Sequence, residues 1–291
     1  IDTTDPREME KRMLMSTYET FGCSDGVPTF RFSLEDAVKH KPPYLCLPKL
    51  LDTRTDITTD LLSKQGWTHK FTNEDGDEEE DTFYKKDFMK KFFSHETNKK
   101  FAETFLKYAK KDPISGEIGK TIFFCVSRAH CRIMTKLLNE EASKLYPEQY
   151  GSGSFFALQI TSDIMGSQER TVRFSENDLN GHSSFKSDLF DYESSKTRIC
   201  VTVGMMTTGY DCTDVLNVVL ARPIFSPTDY IQIKGRGTRL HSFEYKETNN
   251  EKDNYFLFDF FANHEYFEEE YDYKQKIELP RETDGDTKGG G

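Results

Sequence analysis

The sequence predicts an α/β domain built on a doubly wound, mostly parallel sheet. Three observations carry that expectation. From Thr121 onward, short apolar runs alternate with longer helical stretches. Two of the runs, Arg198–Val203 and Val215–Leu220, have the apolar pattern of buried strands. Between and after them comes a fixed order: a Gly/Thr turn ending in Asp211, a strand, a helix opened by Pro227, and an arginine pair.

The elements follow in order. Ile1–Ser16 is polar, with Met9, Met13, Leu14 and Met15 at loosely helical spacing. Ser33-Leu-Glu-Asp36 has the capping-box form and predicts a short helix, which Lys41-Pro42-Pro43 stops. Tyr44–Asp52 alternates and reads as a strand. Residues 57–81 form an excursion whose acidic run, Asn73–Asp81, repels itself in any packed setting. Asp75, Asp77 and Glu79 alternate around Gly76, but the calcium-loop spacing and its distant Glu are missing, so a solvated loop is the reading. Phe88, Phe92, Phe93, Phe101, Phe105, Leu106 and Ala109 predict one or two amphipathic helices over 83–111. Strands are expected at Ile122–Val126, Phe155–Thr161 and Tyr255–Phe260. Helices are expected from Ala129 to about Leu145, within Gln168–Asp191, and over Ala262–Tyr273, with residues from Pro280 as tail.

Composition sets limits. The chain has 291 residues, 35% hydrophobic and 13% aromatic, enough for a core of one large domain or two small ones. A net charge of −11 argues against a broadly basic nucleic-acid surface, though not against a narrow track of phosphate contacts. No apolar run approaches the about 18 residues of a membrane span. Six cysteines without a Cys-x-x-Cys pair read as buried thiols of a cytoplasmic protein rather than a zinc site. The chain begins with Ile1 and ends Thr287-Lys-Gly-Gly-Gly291; both ends read as cuts in a longer polypeptide.

Chemistry concentrates at Asp229–Arg239. A helix ending near Gly235–Gly237 releases Arg236 and Arg239 on one side, with Gln232 one turn earlier. Two permanently charged forked donors beside an amide suit a polyphosphate. The competing reading is that arginines at a helix C-terminus only satisfy its dipole. Asp211 likewise has two readings, a nucleotide contact or an Asx turn. Gly119-Lys120-Thr121 has the look of a phosphate loop, but Ile114 stands where the first glycine belongs and a strand follows, so it is rejected. Glu244-Tyr245-Lys246 has a nuclease look without a strand-borne Asp ahead of it, and charged loop residues suffice.

These residues resemble the second RecA-like domain of superfamily 2 helicases and translocases. Thr207-Thr208-Gly209-Tyr210-Asp211 matches motif V, and Gln232-Ile-Lys-Gly235-Arg236-Gly-Thr-Arg239 matches motif VI. The finer similarity is to the motor of type I restriction enzyme R subunits: Phe21-Gly22, Phe30–Val38, Gly235–Leu240 and Tyr255–Phe260 all look like that family's wording. It covers most of the chain and is weakest over Thr53–Lys111.

The resemblance implies a RecA-like fold with an N-terminal helical or hairpin excursion. Residues 1–43 would connect from a first motor domain, 44–115 hold a strand, the acidic excursion and amphipathic helices, and 116–279 form the second RecA-like domain. Arg236 and Arg239 are then arginine fingers with Gln232 beside them, Gly209, Asp211 and Gly235 face the nucleotide, and Thr207, Thr208, Ser127 and Arg128 meet nucleic acid. With no phosphate loop or Walker B strand present, ATP and Mg2+ would be held mainly by the upstream RecA-like domain, and the fragment alone would hydrolyse nothing. Implied partners are double-stranded DNA and modification and specificity subunits. Two rival expectations are another superfamily 2 helicase and a non-catalytic scaffold of the same fold.

Overall fold

Three strands consist of buried residues throughout: β2 (Thr121–Cys125), β4 (Ile199–Thr202) and β5 (Asn217–Ala221). Continuous burial of this kind requires cover on both faces, the mark of a central parallel strand. The computed structural model describes residues 33–53, 93–151, 153–182, 192–207, 209–267 and 276–278. Around the central strands lie β1 (Leu47–Asp52), β3 (Ala157–Gln159), β8 (Asn254–Asp259) and β9 (Lys276–Glu278). One seven-stranded sheet runs β3-β4-β2-β5-β8-β1-β9, and each pairing in it is parallel.

Alternation along the strands divides the core in two. Phe123, Val201, Val219 and Phe258 face one side, where α2 (His95–Tyr108) and α3 (Arg128–Leu145) supply Phe101, Phe105, Met134 and Leu138. Phe105 meets Phe123 and Phe258 edge-on at 6.0 and 5.3 Å, and Phe101 stacks on Phe260 at 4.2 Å. Ile122, Phe124, Cys200, Val218 and Leu220 face the other side, against Phe174 of α4 (Ser167–Ser175) and Tyr230 and Ile233 of α5 (Pro227–Gly235). The helix after β2 therefore covers one face and the helix after β5 the other. Neighbouring strands that send their helices to opposite faces open a crevice at their carboxyl ends, where ligands bind in sheets of this class.

Several expected elements sit where periodicity places them. Ser33 caps α1 (Leu34–Lys39), its Oγ accepting from the Asp36 N–H at 3.0 Å while Asp36 Oδ2 accepts from the Ser33 N–H at 3.0 Å. The expected strand Phe155–Thr161 contracts to β3, because Thr161 Oγ donates to Asp163 Oδ1 at 2.6 Å and turns the chain. The expected helix Ala262–Tyr273 is described only as α6 (Asn263–Tyr266), and residues 268–273 lie outside the described residues. So do the acidic run and Phe88 and Phe92. A hairpin of β6 (Ser242–Tyr245) and β7 (Thr248–Glu251), turning at Lys246 with φ 54°, was not expected from the sequence; it carries Glu244-Tyr245-Lys246. Arg198, expected to open a strand, instead sends its buried guanidinium to the Ile118 carbonyl at 2.9 Å and to Asp112 at 3.4 Å.

His130 shows how complete the burial is. Its Nδ1 accepts from the Val126 N–H at 3.4 Å and Nε2 lies 3.0 Å from Asn98 Oδ1, so the neutral ring satisfies both neighbours. Burial pushes its pKa down to about 3. The folded value lies below the unfolded one of about 6.5, so this contribution is complete above that pH and is lost as pH falls toward the folded value. Between pH 7 and 5 the loss should reach about 2 kcal/mol. Denaturant unfolding of the wild type should weaken over that interval, and His130→Gln should flatten the dependence by a comparable amount; parallel curves for the two would contradict the assignment.

Candidate nucleotide-facing site

The arginine pair leaves a helix whose two ends are accounted for. At the start of α5, Ser226 Oγ accepts from the Asp229 N–H at 3.2 Å and Pro227 occupies the first turn, where its missing N–H costs nothing. At the other end, the Arg236 N–H reaches the Ile233 carbonyl at 3.1 Å, and Thr238 Oγ donates to the Gly235 carbonyl at 2.9 Å. Tyr255 of β8 donates its hydroxyl to the Lys234 carbonyl at 2.6 Å. Its ring lies beneath Gly237, where an added Cβ would come within 2.3 Å of it. That contact explains the second glycine of Gly235-Arg-Gly237. Gly235 is different: a Cβ there meets no atom within 4 Å.

The turn after α5 is clamped from above as well. The Cys46 N–H donates to the Thr238 carbonyl at 2.8 Å, and Leu45 forms an antiparallel bridge with Arg239. Held this way, both guanidiniums turn toward the loop that follows β4. Arg236 donates through Nη1 to the Tyr210 carbonyl and through Nε to the Gln232 carbonyl at 3.1 Å. Arg239 Nε donates to Asp211 Oδ1 at 3.1 Å. Partial burial, then the charge of Arg239, lowers the Arg236 pKa, but the group stays a cation at neutral pH.

The loop itself is fixed at two points that straddle Asp211. Tyr210 donates its hydroxyl to the Thr171 carbonyl at 3.1 Å. Asp214 pairs with Lys120 at 2.8 Å, both nearly inaccessible to solvent, and accepts from Asn177 at 3.0 Å. Burial alone would raise the Asp214 carboxyl, but the Lys120 charge and these hydrogen bonds outweigh it and hold the pKa below its ordinary value. Lys120 also lies 5.1 Å from the Phe174 ring. Gly119 has no room for a side chain, since a Cβ would meet Leu216 and the Lys110 carbonyl at 2.7 Å. The residues that look like a phosphate loop are thus a buried lysine and a close-packing glycine. Gly209 has φ 68°, a left-handed value that favours glycine.

The expected site residues fall into two groups. Arg239 meets Asp211 and Arg236 meets the neighbouring Tyr210 carbonyl; the Gln232 carbonyl accepts from Arg236, Gly235 ends the same helix, and Gly209 lies two residues before Asp211. Ser127 and Arg128 lie after β2. Ser127 is buried and its Oγ caps α3, accepting from the His130 N–H at 3.1 Å. Half-exposed Arg128 reaches Ser162 at 3.1 Å and Asp163 at 3.5 Å. Thr207 closes a turn on the Gly204 carbonyl at 3.0 Å, and Thr208 lies outside the described residues. Tyr255, Cys46 and the Lys120–Asp214 pair position the site but escaped the sequence reading, because partners about twenty to two hundred residues away leave no local pattern. Asp52, His264 and Glu265 bring three potential metal-ligand atoms within 4.8 Å of one another, with His264 Nδ1 held 2.9 Å from Asp259 Oδ2. These contacts close the turn after β8.

No protein-family model matches the chain. It is 30% identical over 218 residues to the EcoAI endonuclease subunit of a type I restriction enzyme from Escherichia coli, covering 74% of the chain and 23% of that protein. It is 29% identical over 130 residues to the corresponding EcoKI subunit of Escherichia coli K12, covering 44% and 10%. A solved fragment of a type I restriction enzyme HsdR subunit from Vibrio vulnificus superposes with a TM-score of 0.54 at 21% identity, over 91% of the chain and 41% of that fragment. The homologues are type I restriction endonuclease subunits, and the chain spans less than a quarter of the length of either curated relative. The fold is RecA-like α/β.

Two pairs of substitutions test the architecture of the site. Gly237→Ala should destabilise by about 1–3 kcal/mol through overlap with Tyr255, whereas Gly235→Ala should be neutral or slightly stabilising; equal unfolding midpoints would contradict the close approach. Lys120→Met should cost about 3–5 kcal/mol by stranding the Asp214 charge, and adding Asp214→Leu should restore most of it; no recovery in the double variant would show that the pair is not what fixes the loop.

Proposed function

We propose that this chain, homologous to type I restriction endonuclease subunits, is the second motor domain of an ATP-dependent DNA translocase. The observation that carries this reading is that Arg236 and Arg239 both turn onto the Tyr210–Asp211 loop rather than into unrelated contacts. Arg236 and Arg239 act as arginine fingers. They meet charge spread over the transferring phosphoryl oxygens in a loose transition state, where preorganised donors act most strongly. Gln232 and Gly235 line the approach, and Gly209 and Asp211 face the nucleotide, with Asp211 accepting from the ribose. ATP and Mg2+ are held mainly by an upstream RecA-like domain of the same polypeptide. Closure of the cleft between the two domains on ATP, and its reopening on hydrolysis, moves the pair along double-stranded DNA.

Thr207, Thr208, Ser127 and Arg128 belong to the DNA-facing edge. Ser127 and Arg128 follow β2 at the crevice described above, which favours that edge as a contact surface. Since Ser127 Oγ already caps α3, Arg128 is the member of that pair whose side chain reaches outward. Modification and specificity subunits are the expected assembly partners and the cytoplasm the expected location. No helix among the described residues is long and apolar enough to cross a membrane.

The test joins this chain to its upstream domain and measures ATP hydrolysis with and without duplex DNA. Turnover should require DNA, and Arg236→Ala should lower it by about a thousandfold or more while leaving the unfolding midpoint nearly unchanged. Unaltered turnover rejects the finger assignment, turnover indifferent to DNA points to a scaffold, and strand separation in a displacement assay points to a helicase.

A further inference from the structure

Beside the arginine pair lies a cleft of about 490 Å3 between α1 and the end of α5. Leu34, Tyr44, Leu45 and Ile231 form its walls, and Gly235 and Arg239 stand at its edge. Tyr44 and Ile231 belong to the small set of large apolar side chains left exposed among the described residues, at 54% and 43%. Their convergence on one cleft is the feature to explain. Backbone contacts fix the spacing: the Tyr44 N–H donates to the Ala37 carbonyl at 2.9 Å, and its neighbour Leu45 bridges Arg239. The Tyr44 ring already carries one flat group, His40, at a centroid distance of 4.2 Å. An aromatic and aliphatic wall that ends at the Arg239 guanidinium matches a ligand with a flat heterocycle at one end and anionic oxygens at the other.

We propose that this cleft is the base subsite for the nucleoside triphosphate, the heterocycle stacking on Tyr44 and packing against Ile231 while the phosphates extend toward Arg239. The inference rests on the arginine reading of the previous subsection and adds to it a group on this chain that recognises the nucleoside itself. Open space above Gly235 gives the ligand its passage from the wall to the arginines, since even a methyl group placed there meets nothing within 4 Å. The charge arrangement is complementary: Arg239 supplies a cation at one end of the cleft, whereas Leu34, Tyr44, Leu45 and Ile231 make the other end apolar.

Titration calorimetry on the chain joined to its upstream RecA-like domain, with ATP and with inorganic tripolyphosphate, separates base from phosphate recognition. ATP should bind more tightly than tripolyphosphate. Tyr44→Ala should weaken ATP about tenfold, as the loss of one base–aromatic stack does, without changing tripolyphosphate binding. Tyr44→Trp should retain the wild-type preference. Because Tyr44 is more than half exposed, its truncation leaves the core intact. Equal binding of ATP and tripolyphosphate, no saturable ATP binding, or a Tyr44→Ala variant that binds ATP like the wild type overturns the subsite. Arg239→Ala serves as the separate control on the reading beneath it. If it weakens both ligands while Tyr44→Ala changes neither, the arginines stand and the base subsite falls; if it changes neither ligand, the arginine reading falls with it.

Discussion

The arginine pair is positioned by packing, and the central contact is the Tyr255 ring beneath Gly237. Magnitudes decide this. The Arg239–Asp211 ion pair is 55% and 63% exposed, and pairs of that kind contribute about 0–1 kcal/mol. A fully buried tyrosine whose hydroxyl also satisfies a helix-end carbonyl contributes more, through apolar burial of a large side chain and a net hydrogen bond of about 1 kcal/mol. Tyr255 sits on β8, inside the sheet and beside the fully buried β5. The turn carrying Arg236 and Arg239 is thereby tied to the sheet, while the exposed Arg239 guanidinium can exchange partners at small cost.

A second anchor works by charge. Lys120 opens into β2 and Asp214 closes the loop after β4, so their buried pair links two strands of the sheet through the loop that presents Asp211. A buried pair gains little over an apolar one of the same shape, but breaking it is costly because one charge is left uncompensated. Such an arrangement specifies a conformation more than it stabilises a fold. The Arg198 guanidinium, held among Asp112, the Ile118 carbonyl and the nearby Glu117, does the same at the amino ends of β2 and β4. With a net charge of −11, the cations that matter here act through fixed placement and not through the overall field of the protein.

What could be read from the sequence divides along the same line. Ser33–Asp36 and Pro227–Gly235 announce themselves through caps and a proline, signals confined to a few residues. The central strands announce themselves through unbroken apolar runs. The rejection of Gly119-Lys120-Thr121 as a phosphate loop rested on element order, and the structure supplies the physical reason those residues are present. Contacts such as Tyr255 with Gly237, Cys46 with Thr238 and Lys120 with Asp214 depend on how distant strands come to lie side by side. Nothing in the local pattern of Tyr44–Asp52 tells that this strand enters the sheet between β8 and β9. Candidate site residues were legible as types and spacings; the contacts that hold them in place were not.

The Arg239–Asp211 contact bears on how the proposed shared nucleotide site would work. In the proposed motor, Asp211 accepts from a ribose and Arg239 reaches a phosphate, yet here each is the partner of the other. The exposed pair is weak and screened by salt, so its rupture subtracts little from nucleotide binding. In the proposed motor it would nevertheless keep the carboxylate from repelling an incoming polyanion at full strength. Arg236, tied to a backbone carbonyl and half-buried, has less freedom to leave. In the proposed motor the two arginines are therefore unequal: Arg236, half-buried, would be the fixed donor, and the more exposed Arg239 the one that would change partner when nucleotide arrives.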